Sequence, residues 1–361
     1  MSDVRIARAE GDPATRGRTI GKTFSDLIEC SIDFYHRYLD ARGVSSPDLQ
    51  ELLTPHLAAA EAVTPDLMAM ITGMAEGAMV PVMELFAVNA FEELEPLLKP
   101  LAGQELFLER KEGHRAERCT SFTSVGDGYT LLAHNENWLA GDLGNVGVVL
   151  EIPDEGRASI ASASSVCCLP SVGMNSFGEA QGIASLTASD DRAGVPRVFE
   201  SRYTFDANDR EDAIQRAGLE HRAGGYGHVF AFRGGDALRV ETTATKMALF
   251  DGAGAHTNHY LDPDLAEMAP PPSKGSLNRY ERTVELLDEL NPSTPEAMME
   301  ILRDHENAPT SICLHPDPTE GDEAEAVVFS IVCELEAKRM WVAVGIPCET
   351  EYQEIDLEGV I

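Results

Sequence analysis

The 361-residue chain carries 61 acidic against 28 basic side chains, a formal net charge of −33, and only six of the basic residues are lysine. Such a surface repels nucleic acid and anionic membranes, which excludes both as partners, and its poverty in lysine fits a salt-rich, halophilic cytoplasm that screens the self-repulsion. Apolar residues at 43% describe a globular chain with a sizeable core, in one large domain or two smaller ones.

The N-terminal stretch "MSDVRIARAEGDPATRG" lacks the apolar run of an export signal, and the longest apolar stretch, near Met79 to Phe91, is interrupted by Glu84. Seven scattered cysteines, an odd number, fit a reducing, cytoplasmic setting better than a disulfide framework. From Asp12 to about Glu95 the pattern is helical. "TFSDLIECSIDFYHRYL" repeats apolar residues at three and four, and "TPDLMAMITGMAEGAMVPVMELFAVNAFEEL" opens with a Thr cap and a Pro in its first turn. Its methionines (Met68, Met70, Met74, Met79, Met83) read as core packing. Residues 96–118, charged and punctuated by Pro and Gly, read as an exposed connector.

After the connector the period changes to two. "CTSFTSV" and "TLLAHNENW" flank Gly126-Asp127-Gly128 as a hairpin; "VGVVLEI", "ASIASAS" and "VGMNSFGEAQGIASLT" continue the strands. "RVFESRYTFDANDREDAIQRAGLEH" interrupts them as helix, "HVFAFRGGDALRVETTA" is another hairpin, "SLNRYERTVELLDEL" and "TPEAMMEILRDHE" are amphipathic helices, and "AEAVVFSIVCELEAKRMWVAVG" closes with a strand pair. Strand hairpins alternating with helix pairs point to an α+β protein of antiparallel sheets layered with helices.

No G-x-S-x-G elbow, Walker loop or dinucleotide fingerprint is present. His256 and His259 in "HTNHY" stand three apart with no further ligands near them in sequence, so no metal is expected there, and the pair reads as structural or substrate-adjacent. Cys119 stands where the connector meets the first strand. Attack of its thiol on the carbonyl of Arg118, followed by hydrolysis of the thioester, would make it a new N-terminus. The freed α-amine, with a reference pKa of about 7.7–8.0, could then act as base for the thiol of its own residue. A lone cysteine is more often inert filler, as Cys167 and Cys168 read here.

Company distinguishes Cys119. "RCTSF", "AHNENW", "GMNSFGEAQGI" and "HTNHYL" follow one another, each at a strand end or turn, and together resemble the acyl-coenzyme A:6-aminopenicillanic acid acyltransferase family of N-terminal nucleophile hydrolases, over about residues 70–345. The resemblance implies a four-layer αββα sandwich with an added N-terminal helical segment. It also implies cleavage at Arg118–Cys119 and division into a helical pro-segment (1–118), retained as a partner chain, and a catalytic chain (119–361). It implies a small-molecule N-acyl substrate and no metal or organic cofactor. Carried over, Cys119 is the nucleophile, Asn258 and Asn175 are oxyanion donors, and His134 and Glu136 line the substrate site. The family's Asn-x-Asp-Trp becomes "NENW", so Asn137 stands for the aspartate that holds the α-amine; it can accept a hydrogen bond but carries no charge. Two rival readings are an acyl-coenzyme A dependent transferase and an uncleaved, catalytically silent binding protein. The segment around Arg192 to Phe199 and the helices before Cys119 are expected to line the pocket.

Overall fold

The computed structural model describes residues 4–98, 119–154 and 156–361. The expected connector and Arg118 lie largely or wholly outside these residues. The chain begins with a strand, β1 (Ile6–Gly11), then helices α1 (Pro13–Thr23), α2 (Ser25–Ala41), α3 (Ser46–Val63), α4 (Pro65–Ala78), α5 (Val82–Asn89) and the short α6 (Phe91–Leu94). Strands β2 (Cys119–Gly126), β3 (Tyr129–Leu139), β4 (Val146–Pro153), β5 (Ile160–Ser165), β6 (Val172–Asn175) and β7 (Glu179–Leu186) follow. Then come α7 (Arg197–Thr204), α8 (Arg210–Ala217), β8 (Gly225–Phe232), β9 (Asp236–Thr242), β10 (Met247–Asp251), β11 (Ala255–His256) and α9 (Pro263–Ala266). The chain ends with α10 (Lys274–Leu290), α11 (Pro295–Leu302), β12 (Glu325–Glu334), β13 (Arg339–Val344) and β14 (Gln353–Glu354).

Two sheets stack face to face. One runs β1-β4-β5-β6-β7-β8-β9-β10 and the other β11-β2-β3-β12-β13-β14. β2 and β3 of the second sheet lie on β7 and β8 of the first. α10 and α11 cover the outer face of the six-stranded sheet, where Phe122, Leu131 and Trp341 meet Leu286, Met298 and Ile301. α7 and α8 cover the eight-stranded sheet, where Ala213 and Ala217 meet Phe230, Leu238 and Val240. The order is therefore helices, sheet, sheet, helices: the αββα sandwich expected from the sequence.

The N-terminal segment is not wholly helical, because β1 enters the larger sheet at its edge, parallel to β4. Only Ala7 and Ala9 of β1 point inward, whereas Ile6, Arg8 and Glu10 are exposed. Arg16 of α1 then reaches Glu151 of β4 in a buried ion pair at 2.7 Å. Ser31 and Tyr35 of α2 donate to the buried carboxylate of Asp142 at 2.6 and 2.9 Å. α1 crosses α4 at backbone contact: a Cβ on Gly17 would stand 2.1 Å from the carbonyl oxygen of Met70, so no other residue fits there. Met68, Met70 and Met74 are core, but Met79 is 89% exposed in a left-handed conformation at the end of α4. Thr64 occupies the N-cap of α4 without capping it, its hydroxyl donating instead to the carbonyl of Ala60.

Candidate active site

The site forms where β2 begins. Asp127 and Gly128 make a two-residue turn between β2 and β3, with Gly128 at φ 80°, and this fixes the register: Cys119 opposite Glu136, Ser121 opposite His134. Opposite residues of an antiparallel pair share a face and neighbours along a strand alternate. Cys119, Ser121, His134 and Glu136 therefore face the other sheet together. Thr120, Asn135 and Asn137 face the helices.

The contacts follow that division. The Cys119 thiol donates to Glu136 Oε1 at 3.3 Å, Glu136 Oε2 meets His134 Nε2 at 3.0 Å, and His134 Nδ1 meets Ser121 Oγ at 2.8 Å. Ser121 Oγ in turn donates to the carbonyl of Ile183 on β7 at 3.0 Å. Gly182 makes the close approach possible, since a Cβ there would sit 2.8 Å from Ser121 Oγ. His134 is thus a buried member of a relay behind Glu136 and not a wall of the pocket.

The backbone of Cys119 is held from the other side. Its N–H donates to Asn258 Oδ1 at 2.9 Å. Arg279, buried on α10, donates to the same Asn258 oxygen at 2.9 Å, to Thr120 Oγ1 at 3.0 Å and to the Cys119 carbonyl. Two unambiguous donors converging on one atom fix the Asn258 amide with its nitrogen turned toward β7, where Nδ2 donates to the Ser185 carbonyl at 3.2 Å. The loop carrying Asn258 is pinned by His256, whose Nε2 meets Glu241 Oε1 at 2.8 Å, while the Glu241 carboxylate also accepts from the N–H groups of Leu261 (2.6 Å) and Asp262 (3.0 Å). His256 is structural; His259 lines the cavity described below.

Burial, reinforced by the negative charges of Glu136 and Glu92, pushes the Cys119 thiol well above its ordinary range, with Arg279 pulling the other way. The thiol is therefore protonated at neutral pH in the intact chain. Cys119, His134 and Glu136 present one ligand-type atom each within 4.8 Å of one another, a set that could hold a metal. Their linear relay already gives each a partner.

Beside Asn258 opens a cavity of about 340 Å³, bordered by Glu92, Glu95, Ser185, Arg197, Asn258 and His259, with Pro270–Pro272 at its rim. Arg197 is neutralised by Glu93 and Asp191, each at 2.8 Å. Glu92 takes a hydrogen bond from Ser185 Oγ. The segment before Cys119 thus supplies acidic walls, and Arg197 comes from the loop region expected to line the pocket.

Two carried-over residues fall elsewhere. Asn175 ends β6 with its amide fully engaged: Nδ2 donates to Glu179 Oε2 and to the carbonyls of Phe205 and Ala207, and Oδ1 accepts from the N–H groups of Phe177 and Glu179. It ties a turn to the end of α7 and has no hydrogen left for an oxyanion, which corrects the expectation of a second donor there. Asn137 is fully buried on the helix-facing side of β3, so the carboxylate at Cys119 is that of Glu136, one residue earlier. Sequence reasoning missed Arg279, which "SLNRYERT" presents as an ordinary arginine of an amphipathic helix, and Glu92.

The family model described as acyl-coenzyme A:6-aminopenicillanic acid acyl-transferase matches residues 124–349, more than half of the chain. The chain belongs to that family. It is therefore an enzyme of an acyltransferase family, and Asn258 and Arg279 lie inside the matched span while Cys119 precedes it by five residues. Among solved structures, a penicillin V acylase from Agrobacterium tumefaciens is similar at 15% identity over 67% of this chain and 87% of that one, with a TM-score of 0.49. A variant of conjugated bile acid hydrolase from Clostridium perfringens is similar at 14% identity over 66% and 93%, with a TM-score of 0.45. No curated protein sequence matches the chain. Among the described residues, no helix is long and apolar enough to cross a membrane.

Proposed function

We propose that this member of the acyltransferase family cleaves itself at Arg118–Cys119 and then moves the acyl group of a small N-acyl compound through a thioester on Cys119. The observation that supports this most directly is the treatment of Cys119 at the head of β2. Its N–H lies on Asn258, its thiol on Glu136, and a cavity opens beside Asn258. In self-processing the sulfur bonds to the carbonyl carbon of residue 118, the C–N bond breaks with a proton passing to nitrogen, and water hydrolyses the thioester. Glu136 is placed to take the thiol proton in that step, and afterwards its charge can hold the new α-amine beside Asn258.

In turnover the amine accepts the thiol proton, the sulfur attacks the substrate carbonyl, and Asn258 Nδ2 offers an N–H to the oxyanion. The leaving amine takes the proton, and water or an acceptor amine releases the acyl group. The family's description names transfer, and water in the acceptor's place turns the same thioester to hydrolysis. Because Glu92 and Glu95 line the cavity and Arg197 is already paired, the pocket favours neutral or cationic amines over anionic ones.

Intact mass measurement of the purified protein tests the proposal. Two chains meeting at Arg118–Cys119 are expected, together with a mass increment on the second chain when an N-acyl amine is added at low temperature. Cys119→Ala should give one chain and no acyl release. An active preparation consisting only of intact chain would overturn the α-amine mechanism.

A further inference from the structure

Around the C-terminal end of α11, which covers the six-stranded sheet, four metal-type ligands converge from three separated stretches of chain. His305 follows α11, Cys313 and His315 lie between α11 and β12, and Cys348 sits in the turn after β13. All four ligand atoms lie within 4.8 Å of one another. His315 Nε2 stands 3.1 Å from His305 Nε2, 3.2 Å from Cys348 Sγ and 3.9 Å from Cys313 Sγ. One ring nitrogen has a single lone pair or a single proton, so it can satisfy one of these three neighbours and no more. A cation at the centre satisfies all of them.

The spacings fit such a cation. Tetrahedral zinc with Zn–N near 2.0–2.1 Å and Zn–S near 2.3 Å separates two nitrogens by about 3.3 Å and nitrogen from sulfur by about 3.6 Å. Two imidazoles with two thiols form a donor set suited to zinc. The other nitrogen of the His315 ring, Nδ1, lies 3.5 Å from Glu349 Oε1, the carboxylate that commonly orients a metal-bound histidine from behind. The backbone frames the set independently of any metal. The Cys313 N–H donates to the Asp304 carbonyl at 3.0 Å, Ser311 Oγ to the Cys313 carbonyl at 2.8 Å, and Arg303 Nε to the Pro347 carbonyl at 2.8 Å, drawing the Cys348 turn against the end of α11.

We propose that His305, Cys313, His315 and Cys348 form a closed, four-ligand site for a structural zinc ion. Four protein ligands leave no open position, so the ion plays no part in acyl transfer. Its role is to lock the 303–315 segment to the 346–349 turn. That segment is what Asn135 of β3 grips, donating to the carbonyls of Leu302 and Ile312 at 3.0 Å each, so the metal braces the strand that carries Glu136 on its other face. In sequence the ligands read H-x7-C-x-H followed after 32 residues by a lone cysteine, unlike the paired spacings of common zinc motifs.

The test uses the full-length protein, kept under a phosphine reductant, equilibrated with zinc chloride, dialysed and assayed by elemental mass spectrometry, with cobalt(II) absorption as a second readout. The wild type and a Cys30→Ser control should retain one zinc per chain, and the cobalt form should show thiolate-to-metal charge transfer and tetrahedral ligand-field bands. Cys348→Ser should lose stable retention, and Glu349→Gln should weaken it about 10-fold. If Cys348→Ser fails to fold by circular dichroism, His305→Asn takes its place in the same measurements. Three results would each overturn the site: no zinc on the wild type, retention unchanged in the ligand variants, or a Cys313–Cys348 disulfide in reduced protein. So would loss of zinc in Cys119→Ala, which would move the ion to the nucleophile's cluster.

Discussion

Asn258 does two jobs with two atoms, and a single isosteric change separates them. Its Oδ1 accepts from the Cys119 N–H and from Arg279, while its Nδ2 is the donor available to an oxyanion. Asn258→Asp keeps both acceptor contacts and makes the one to Arg279 an ion pair, but removes the donor and sets a carboxylate oxygen against the Ser185 carbonyl. The gained charge and the lost bond to Ser185 are of similar size, so stability should stay within about 2 kcal/mol of wild type. Self-cleavage should be slowed yet reach the same products, whereas turnover should fall ~100- to 1000-fold for the missing oxyanion donor. Asn258→Ala strands two buried donors, the Cys119 N–H and one N–H of Arg279, at about 1–3 kcal/mol each. At roughly 2 °C per kcal/mol for a chain of this size, its melting temperature should drop by about 4–12 °C, and processing should stop. The assays are intact mass for processing, acyl release for turnover and calorimetry for stability, all at one fixed salt concentration. Wild-type turnover in Asn258→Asp would refute the donor role. Complete processing with an unchanged melting temperature in Asn258→Ala would refute the anchoring of Cys119.

Glu136→Gln should abolish turnover or cut it at least ~100-fold, while Asn137→Asp should leave the acidic limb of the pH–rate profile in place, because only residue 136 faces Cys119; a profile that moves with residue 137 alone would reverse the assignment. Asn175→Ala should lower stability by about 2–4 kcal/mol in chemical denaturation with kcat nearly unchanged, since its contacts hold a turn and not the site. His259 is held neutral by burial, with His256 adding to the effect, and its pKa is lowered to about 4. Between about 6.5 and 4 the unfolded chain binds the proton and the folded chain does not, so this residue makes stability fall as pH drops through that window. His259→Asn should flatten that segment of a melting temperature against pH curve. We also propose that melting temperature rises from dilute buffer to molar potassium chloride, because a charge of −33 repels itself when unscreened; an indifferent curve would remove the halophilic reading.

The hairpins were legible because their turns carry the chemistry the geometry demands, as at Asp127-Gly128, and because the strands alternate. The same turn also fixes which residues of β2 and β3 face each other. Counting back from it residue by residue sets 136, not 137, across from Cys119, so the carboxylate facing the nucleophile could be found by register alone. β1 was hidden because its buried face is two alanines, which carry no hydrophobic signal, and its pairing partner lies beyond residue 145. Asn175 misled because an asparagine before a turn can serve the turn or an active site, and only its five hydrogen bonds decide. Arg279 could not be read from sequence, since burying an arginine on an amphipathic helix depends on oxygens contributed by β2 and the Asn258 loop.

The parallel pairing of β1 with β4 sets the order in which the molecule can assemble. During synthesis the first strand and the helix behind it must wait until residues 146–153 have emerged, for neither the sheet edge nor the Glu151 partner of Arg16 exists before then. An intact chain closes this edge as a first-order event within one molecule. Once the proposed cut at residue 118 is made, the same closure after denaturation becomes an encounter between two polypeptides, second order and dependent on concentration. Processing would thus turn a reversible folding reaction into one that dilution drives apart, leaving the slowness of unfolding to preserve the mature enzyme.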